Sequence, residues 1–251
     1  MNASKAIRQT IIDPERRQKL LDLREVIEYK DLLYFLVLKD IKILYHQTIL
    51  GFTWAIIRPF VSMVIFSVVF GSLAKIPSDG VPYPIFSFAA LVPWTYFSSA
   101  LVDSSGSLIM NAGMLTKVYF PRYVIPMAPI FSKLIDFAIA FAMLCCMMLW
   151  YGYLPTKFVF VLPLLILLMI LTSAGLGLWL SAMAIQFRDV RHATPFLAQV
   201  LMYAAPVIWP VSLIPHEYRL FYGLYPMAGV IEGFRSALLG TTAMPWDLML
   251  T

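Results

Sequence analysis

Long uncharged stretches dominate the pattern of hydrophobic and polar positions along this chain. Residues 158–187 form a run of thirty residues without a charged side chain, and residues 193–215 form a second run of twenty-three. About twenty apolar residues are enough for an α-helix to cross the ~30 Å hydrocarbon core of a bilayer. Mainly apolar stretches at about 53–76, 85–102 and 123–151 have comparable lengths. The pattern therefore predicts an all-α integral membrane protein with five spanning helices.

Shorter patterns flank these spans. Residues 32–51 place Lys39 and Lys42 at helical spacing opposite an apolar face, which predicts an amphipathic helix in the membrane interface. Apolar stretches at about 220–231 and 236–246 are too short to span as straight helices. They predict segments that re-enter the membrane or lie at its surface.

The first part of the chain is different in character. Residues 1–31 are polar, with both charge signs interleaved, and Asp13 and Pro14 predict the start of a solvated helix. Neither an internal repeat nor a low-complexity linker interrupts the chain, so we expect one transmembrane domain over residues 1–251, with its membrane region at 53–251.

Composition and charge agree with a membrane protein and orient it. The chain is 61% hydrophobic and only 13% charged, whereas soluble domains are about one quarter charged. Of its 19 Lys and Arg residues, thirteen fall on one side of the predicted spans and four on the other. The positive-inside rule therefore predicts a cytoplasmic N-terminus. The net charge of +5 arises from this asymmetry, so it does not predict a nucleic-acid partner.

The sequence lacks the common motifs of several enzyme classes. None of its 12 glycines is followed by Lys, so it contains no phosphate-binding loop for ATP. The three histidines are scattered rather than placed at metal-ligand spacing, and there is no G-x-S-x-G nucleophile motif. We therefore expect no catalytic residues, no metal site and no cofactor in this chain.

Charged residues within apolar segments are the more informative set. Lys133 and Asp136 are three residues apart in the third span, where they predict an ion pair with either a structural or a coupling role. Arg58, near the start of the first span, could bind a substrate phosphate or extend to lipid phosphates. Glu232 and Arg235 repeat the three-residue spacing, and we expect an ordinary surface pair there.

Aromatic residues make up 15% of the chain. Sugars stack on aromatic rings, so some of these residues could line a passage, although interfacial belts and lipid-facing packing account for many such rings. The candidates for a passage are Phe66, Phe70, Trp94, Tyr96 and Tyr203.

The loop between the second and third spans contains "KVYFPRYVIP". A cap at Asp103, Ser104 or Ser105 would start a short amphipathic helix there, and Pro121 and Pro126 prevent its continuation. The residues presented by this loop are aromatic or cationic, types that are enriched in protein–protein hot spots, and they are Lys117, Tyr119, Phe120 and Arg122. The loop therefore predicts a docking surface, with a lipid-facing turn held by basic anchors as the alternative.

Five motifs resemble one family. "LLYFLVLKDIKILYHQTILGFTWAIIRPF", "PYPIFSFAALVPWTYFSS", "LTKVYFPRYVIP", "FRDVRH" and "YPMAGVIEGFRSALLG" are similar, in this order, to the membrane subunits of bacterial ABC-type polysaccharide exporters. The resemblance is to the lipopolysaccharide O-antigen permeases in particular and covers about residues 32–240. It implies an inner-membrane permease that moves a lipid-linked polysaccharide outward.

The resemblance also implies partners and a role for particular segments. Two copies of the permease would pair with two copies of a separate ATPase, which would bind ATP and Mg²⁺. The interfacial helix would occupy Leu32–Leu50, and two short helices at about 213–224 and 226–240 would re-enter from the outer face. A coupling helix around Asn111–Arg122, which includes Leu115, would contact the ATPase.

One departure from the family concerns the number of spans. Relatives have a sixth span, whereas this chain ends at Thr251 soon after the fifth predicted one, so we expect that the sequence is a truncated portion. A protein with several spans is also expected to have membrane lipids as partners.

The residues leave two alternatives open. One is an ion-coupled secondary transporter built around Lys133 and Asp136. The other is an intramembrane lipid-phosphate transferase that uses Asp103, Asp136 or Asp189 with a divalent ion.

Overall fold

The computed structural model describes residues 28–45, 53–117, 119–241 and 243–249, and these residues contain helices and no β-strand. In chain order the α-helices are α1 (Lys30–Tyr45), α2 (Trp54–Phe66), α3 (Tyr83–Met110), α4 (Ala112–Leu115), α5 (Val124–Tyr151), α6 (Leu162–Gln186), α7 (Asp189–Ala204), α8 (His216–Gly223), α9 (Pro226–Leu239) and α10 (Trp246–Met249). The helix predicted after Asp13, and the predicted end of the interfacial helix at 46–51, lie outside the described residues. The all-α membrane fold is confirmed.

Four helical segments are long and apolar enough to cross a membrane. The π-helical turn Ser67–Leu73 extends α2, and the 3₁₀ turn Lys157–Val161 precedes α6. With these extensions the four segments are Trp54–Leu73, Tyr83–Met110, Val124–Tyr151 and Lys157–Gln186. They coincide with the first four predicted spans.

The fifth predicted span, 193–215, is helical only in its first half. Its helix α7 has 16 residues, which at 1.5 Å per residue is roughly 24 Å and shorter than the hydrocarbon core. The chain then leaves the helix at Ala205. A count of five spans is therefore not confirmed. Helices α8 and α9 coincide with the two short helices implied by the resemblance, and their re-entry into the membrane stays a prediction.

Helix α3 lies at the centre of the bundle and packs against α2, α5, α6, α7 and α9. In the most apolar part of α3, 78% of the residues are buried, against at most 28% in the other three segments. Its buried serines direct their hydroxyls to backbone carbonyls, so these polar groups are satisfied without water. Small residues also let neighbouring helices approach closely.

The predicted cap near Asp103 was wrong. Helix α3 continues without a break through Ser104 and Ser105 to Met110, so these residues lie inside the second span. The helical part of the loop is only the four-residue α4, which follows a bend at Asn111. We call residues 111–123, between α3 and α5, the connector.

Three helices meet closely near the connector. The Ser104 hydroxyl of α3 donates a 2.9 Å hydrogen bond to the Pro126 carbonyl of α5. On the third helix, α6, a Cβ added at Gly177 would lie 2.7 Å from the Ser104 Oγ and 3.0 Å from its Cβ. Only glycine fits this crossing, because any larger residue would push α6 away from α3.

Gly177→Ala should destabilise the protein by about 1–3 kcal/mol through overpacking, even though alanine favours a helix. Gly175→Ala on the same helix is the matched control, because a Cβ there meets nothing within 4 Å. The measurement is the fraction of protein that remains monodisperse after heating in detergent. A Gly177→Ala protein as stable as Gly175→Ala would show that the crossing is not tight.

Candidate functional site

Lys133 of α5 lies between two carboxylates. Its Nζ is 3.0 Å from Asp103 Oδ2 on α3 and 3.8 Å from Asp136 Oδ2 one turn along its own helix. The predicted Lys133–Asp136 pair is therefore present, but the shorter contact is to Asp103. The two carboxylates differ in exposure, with 49% of the Asp103 side chain exposed and 32% of the Asp136 side chain.

Two cavities meet at this ion cluster. The first, of about 290 Å³, is lined by α2, α3 and α5 residues that include Trp54, Tyr96 and Asp136. The second, of about 440 Å³, lies towards α7 and is lined by residues that include Trp94, Asp103, Gln199 and Met202. The residues shared by both cavities are Arg58, Ser99 and Lys133.

Arg58 brings a second cation to the cavities. Its guanidinium carbon is 5.7 Å from the centre of the Trp54 ring one helical turn earlier, a favourable cation–π distance. The Arg58 side chain is exposed. The fold thus places the candidate phosphate ligand and the predicted ion pair, 75 residues apart in sequence, beside the same two cavities.

Helix α1 extends the charged cluster. Lys39 Nζ is 3.5 Å from Asp40 Oδ1, and burial raises the pKa of the Asp40 carboxyl above its ordinary value despite this neighbour. The Asp103 carboxylate adds to that rise and the Lys133 ammonium opposes it. Asp40 of α1 is therefore electrostatically coupled to Asp103 and Lys133.

The connector packs against α1. Lys39 Nζ donates to Asn111 Oδ1 at 3.2 Å, while Asn111 Nδ2 donates to the Ser107 carbonyl at the end of α3. Below this contact, Leu36 of α1 and Phe120 of the connector are buried in one apolar cluster, which Leu115 borders. Movement of the connector would therefore carry α1 with it.

The six predicted coupling residues divide into two groups. Lys117, Tyr119 and Arg122 are exposed, and 57% of Tyr119 is accessible. Asn111, Leu115 and Phe120 instead hold the connector against the rest of the protein. A partner docking on this surface would contact the first group directly.

The five predicted path residues do not share one surface. Tyr96 is 1% exposed and donates its hydroxyl to the Ile130 carbonyl at 3.1 Å, and Trp94 is 3% exposed. Phe66 and Phe70 are half-buried and pack edge to face, with their ring centres 5.2 Å apart, whereas Tyr203 is exposed. Trp94 and Tyr96 border different cavities. A path lined by these rings stays a prediction.

The expected surface pair Glu232–Arg235 was wrong, because both residues are buried in α9. Arg235 is 0% exposed, and its Nη1 lies 3.5 Å from Glu232 Oε2. Every residue of α9 from Met227 to Leu239 is buried, against α3 and α6 among others. A charged pair inside a short apolar segment was the signal in the sequence, and burial could have been predicted from it.

Arg235 donates hydrogen bonds to backbone carbonyls of two elements, the non-helical segment after α7 and helix α3. Its Nη2 donates to the Val207 carbonyl at 2.9 Å, its Nη1 to the Trp209 carbonyl at 3.3 Å and its Nε to the Phe86 carbonyl at 3.3 Å. The Tyr83 hydroxyl donates at 2.8 Å to the carbonyl of Ile208, which lies between Val207 and Trp209 in the chain. The guanidinium also lies 3.6 Å from the centre of the Phe86 ring. Arg235 thus joins α9, α3 and the segment after α7.

Comparison with known proteins identifies the class to which this protein belongs. Residues 31–239 match the ABC-2 type transporter family, and the chain belongs to that family. It is 28% identical over 217 residues to the O-antigen export system permease protein RfbA of Myxococcus xanthus, covering 85% of this chain and 82% of that protein.

Two other relatives have similar coverage. The O-antigen export system permease protein RfbA of Klebsiella pneumoniae is 25% identical, over 84% of this chain and 82% of its own length. The polysialic acid transport protein KpsM of Escherichia coli is 27% identical, over 81% of this chain and 80% of its own. The chain is thus a transporter membrane subunit.

Replacing Arg235 with Leu should destabilise the protein by about 3–5 kcal/mol, because the buried Glu232 carboxylate loses its arginine and the carbonyls of Val207 and Trp209 lose a hydrogen-bond donor. Arg235→Lys should recover only part of this loss, since the single ammonium group of lysine cannot donate to α3 and to the segment after α7 at the same time. The measurement is thermal stability in detergent.

The matched control is Arg188→Leu, which removes an exposed arginine in the turn between α6 and α7. Equal stability of the Arg188→Leu and Arg235→Leu proteins would contradict a structural role for the buried guanidinium.

Proposed function

We propose that this chain is the transmembrane subunit of an ATP-driven exporter that moves a lipid-linked polysaccharide across the bacterial inner membrane. The relatives named above are permeases and transport proteins for O-antigen and polysialic acid. The observation that carries the proposal beyond their names is the pair of cavities that meet at Arg58 and Lys133. Cations held beside a cavity in an apolar bundle suit an anionic, membrane-bound substrate.

The carrier phosphate binds at Arg58 in this proposal. Arg58 is exposed at the start of the first span, where a lipid head group can reach it without crossing the bundle. A planar guanidinium binds two phosphate oxygens at once, which suits it to this role. The aromatic residues Phe66, Phe70, Trp94, Tyr96 and Tyr203 remain the candidates for contact with sugars.

The polymer itself passes between two copies of the chain. Cavities of about 290 and 440 Å³ are the size of a site for one small group, not of a polymer channel. Their lining residues come from α2, α3, α5 and α7 and from Leu44 of α1, and none comes from α9. A second copy therefore supplies the opposite wall of the path.

Energy comes from a separate ATPase, present in two copies, which binds ATP and Mg²⁺. It docks on the exposed connector residues Lys117, Tyr119 and Arg122. With the N-terminus in the cytoplasm, the connector faces the cytoplasm too, because α3 returns the chain to that side. Closure of the ATPase pair displaces the connector together with α1, and the helices shift between two packed states.

Replacing both Lys117 and Arg122 with Glu should abolish polysaccharide export and reduce the amount of co-purifying ATPase at least about ten-fold, because the exposed surface of the connector would change from positive to negative. The measurement is affinity purification of the tagged permease from its native membrane, with identification of the proteins retained and assay of surface polysaccharide.

The matched control reverses two exposed lysines at the opposite end of the bundle, Lys75 in the loop before α3 and Lys157 at the start of the 3₁₀ turn before α6. It should retain the ATPase. Export by the Lys117→Glu, Arg122→Glu protein at the wild-type rate would remove the coupling role from the connector.

Arg58→Ala should lower export by about ten-fold or more, and Arg58→Lys by less, because a charged hydrogen bond to phosphate is worth about 1.5–3 kcal/mol. The measurement is the rate at which polysaccharide reaches the cell surface at equal permease levels. Equal export by the two variants would mean that Arg58 only anchors the helix to lipid.

A further inference from the structure

We propose that Lys133 is a second ligand for the substrate phosphate, and that Asp103 occupies its ammonium group while no substrate is bound. This inference rests on the proposed function, in which the phosphate binds at Arg58. Lys133 and Arg58 are the two cations that border both cavities. A phosphate that enters either cavity near Arg58 therefore reaches the surroundings of Lys133.

The exposed fractions of the Lys133 and Asp103 side chains indicate which of the two leaves the ion pair when substrate binds. Only 12% of the Lys133 side chain is exposed, whereas 49% of the Asp103 side chain is. An ion pair with one exposed member is weak, because that member is held on fewer sides. The Asp103 side chain also lines the second cavity, so its carboxylate can turn into that cavity while the ammonium of Lys133 stays beside both cavities.

Charge balance makes the exchange reasonable. The Lys133 ammonium already lies within 3.8 Å of two carboxylates, those of Asp103 and Asp136. A phosphate ester carries about 1.5–2 negative charges at neutral pH, so it cannot simply be added. It must replace a carboxylate, and Asp103 is the more exposed of the two. Asp136, held on the same helix as Lys133, stays in place.

The class of ligand follows from the surroundings. The first cavity is bordered by Trp54, Phe137 and Ala140, which offer apolar contacts, and the two cations lie at its junction with the second cavity. A phosphate or diphosphate ester of a lipid alcohol fits both features. An ordinary phospholipid head group shares the phosphate chemistry, so an experiment must separate the two sources.

The test measures binding of geranylgeranyl diphosphate to the purified protein in detergent. Lys133→Gln should weaken binding about ten-fold or more, and Lys133→Arg should largely preserve it. Asp103→Asn should tighten binding several-fold, because no carboxylate has to be displaced. The matched control is Lys157→Gln, an exposed lysine at the opposite end, which should bind as the wild type does.

Competitors distinguish the sources of phosphate. Inorganic pyrophosphate should compete weakly, since it lacks the lipid chain, and phosphatidylglycerol should not compete at equal concentration. Competition by phosphatidylglycerol as strong as that by unlabelled probe would overturn the assignment to a carried substrate, because the site would then bind bulk lipid.

Other outcomes separate this inference from the function on which it rests. Wild-type binding by Lys133→Gln with loss in Arg58→Ala would overturn the role of Lys133 and leave the Arg58 site intact. Wild-type binding by both would remove both phosphate ligands. Weaker binding by Asp103→Asn would show that Asp103 does not compete with the substrate. If Lys133→Gln does not stay monodisperse, the double variant with Asp103→Asn, which removes one cation and one anion together, should show the same loss.

Discussion

Backbone carbonyls within an apolar bundle must have hydrogen-bond donors, and in this chain Arg235 meets that requirement where the helical pattern breaks. After α7 ends, three successive carbonyls, from residues 207 to 209, accept hydrogen bonds from Arg235 and Tyr83. Irregular backbone at membrane depth is tolerated only when it is buried in protein and satisfied. The fixed guanidinium allows the chain to turn after Ala204 and to pack α9 against α3 and α6. The packing of the end of the bundle that lies opposite the connector therefore depends on this one side chain.

Helix α3 connects that end to the candidate site. Its first two turns supply Tyr83 and Phe86 to the Arg235 cluster. Further along, Ser104 joins it to α5 beside Gly177, Asp103 pairs with Lys133, and the Ser107 carbonyl accepts from the connector residue Asn111. One helix thus contacts the irregular segment, the two cavities and the connector. In the proposed mechanism, a displacement of the connector would reach the cavities through α3 as well as through α1.

How far the sequence predicts this structure depends on the separation of the groups involved. Apolar run length predicted the four spanning segments, and a three-residue spacing predicted the Lys133–Asp136 pair, because both depend on residues close in the chain. The Lys133–Asp103 contact joins residues on two helices, which periodicity does not report. The burial of Glu232 and Arg235 was missed because lipid-facing and protein-facing segments are equally apolar. Hydropathy also did not identify α3 as the central helix, because a lower hydropathy does not by itself report burial. The serines and Pro93 of α3 make it the least apolar of the four spanning segments.

The two buried or partly buried cations illustrate different uses of the same physics. Arg235 is enclosed on all sides, and its partners are a carboxylate on its own helix and carbonyls that cannot leave, so it fixes a structure. Lys133 lies beside two cavities, and its nearest partner is a half-exposed carboxylate on another helix. Exchanging that carboxylate for a phosphate oxygen keeps an anion beside the ammonium, so the Lys133 charge is never left without a counter-ion. A bundle that must admit an anionic head group and release it again needs this second kind of cation, because binding that adds an unbalanced charge would be weak and binding to a permanently free ammonium would be hard to reverse.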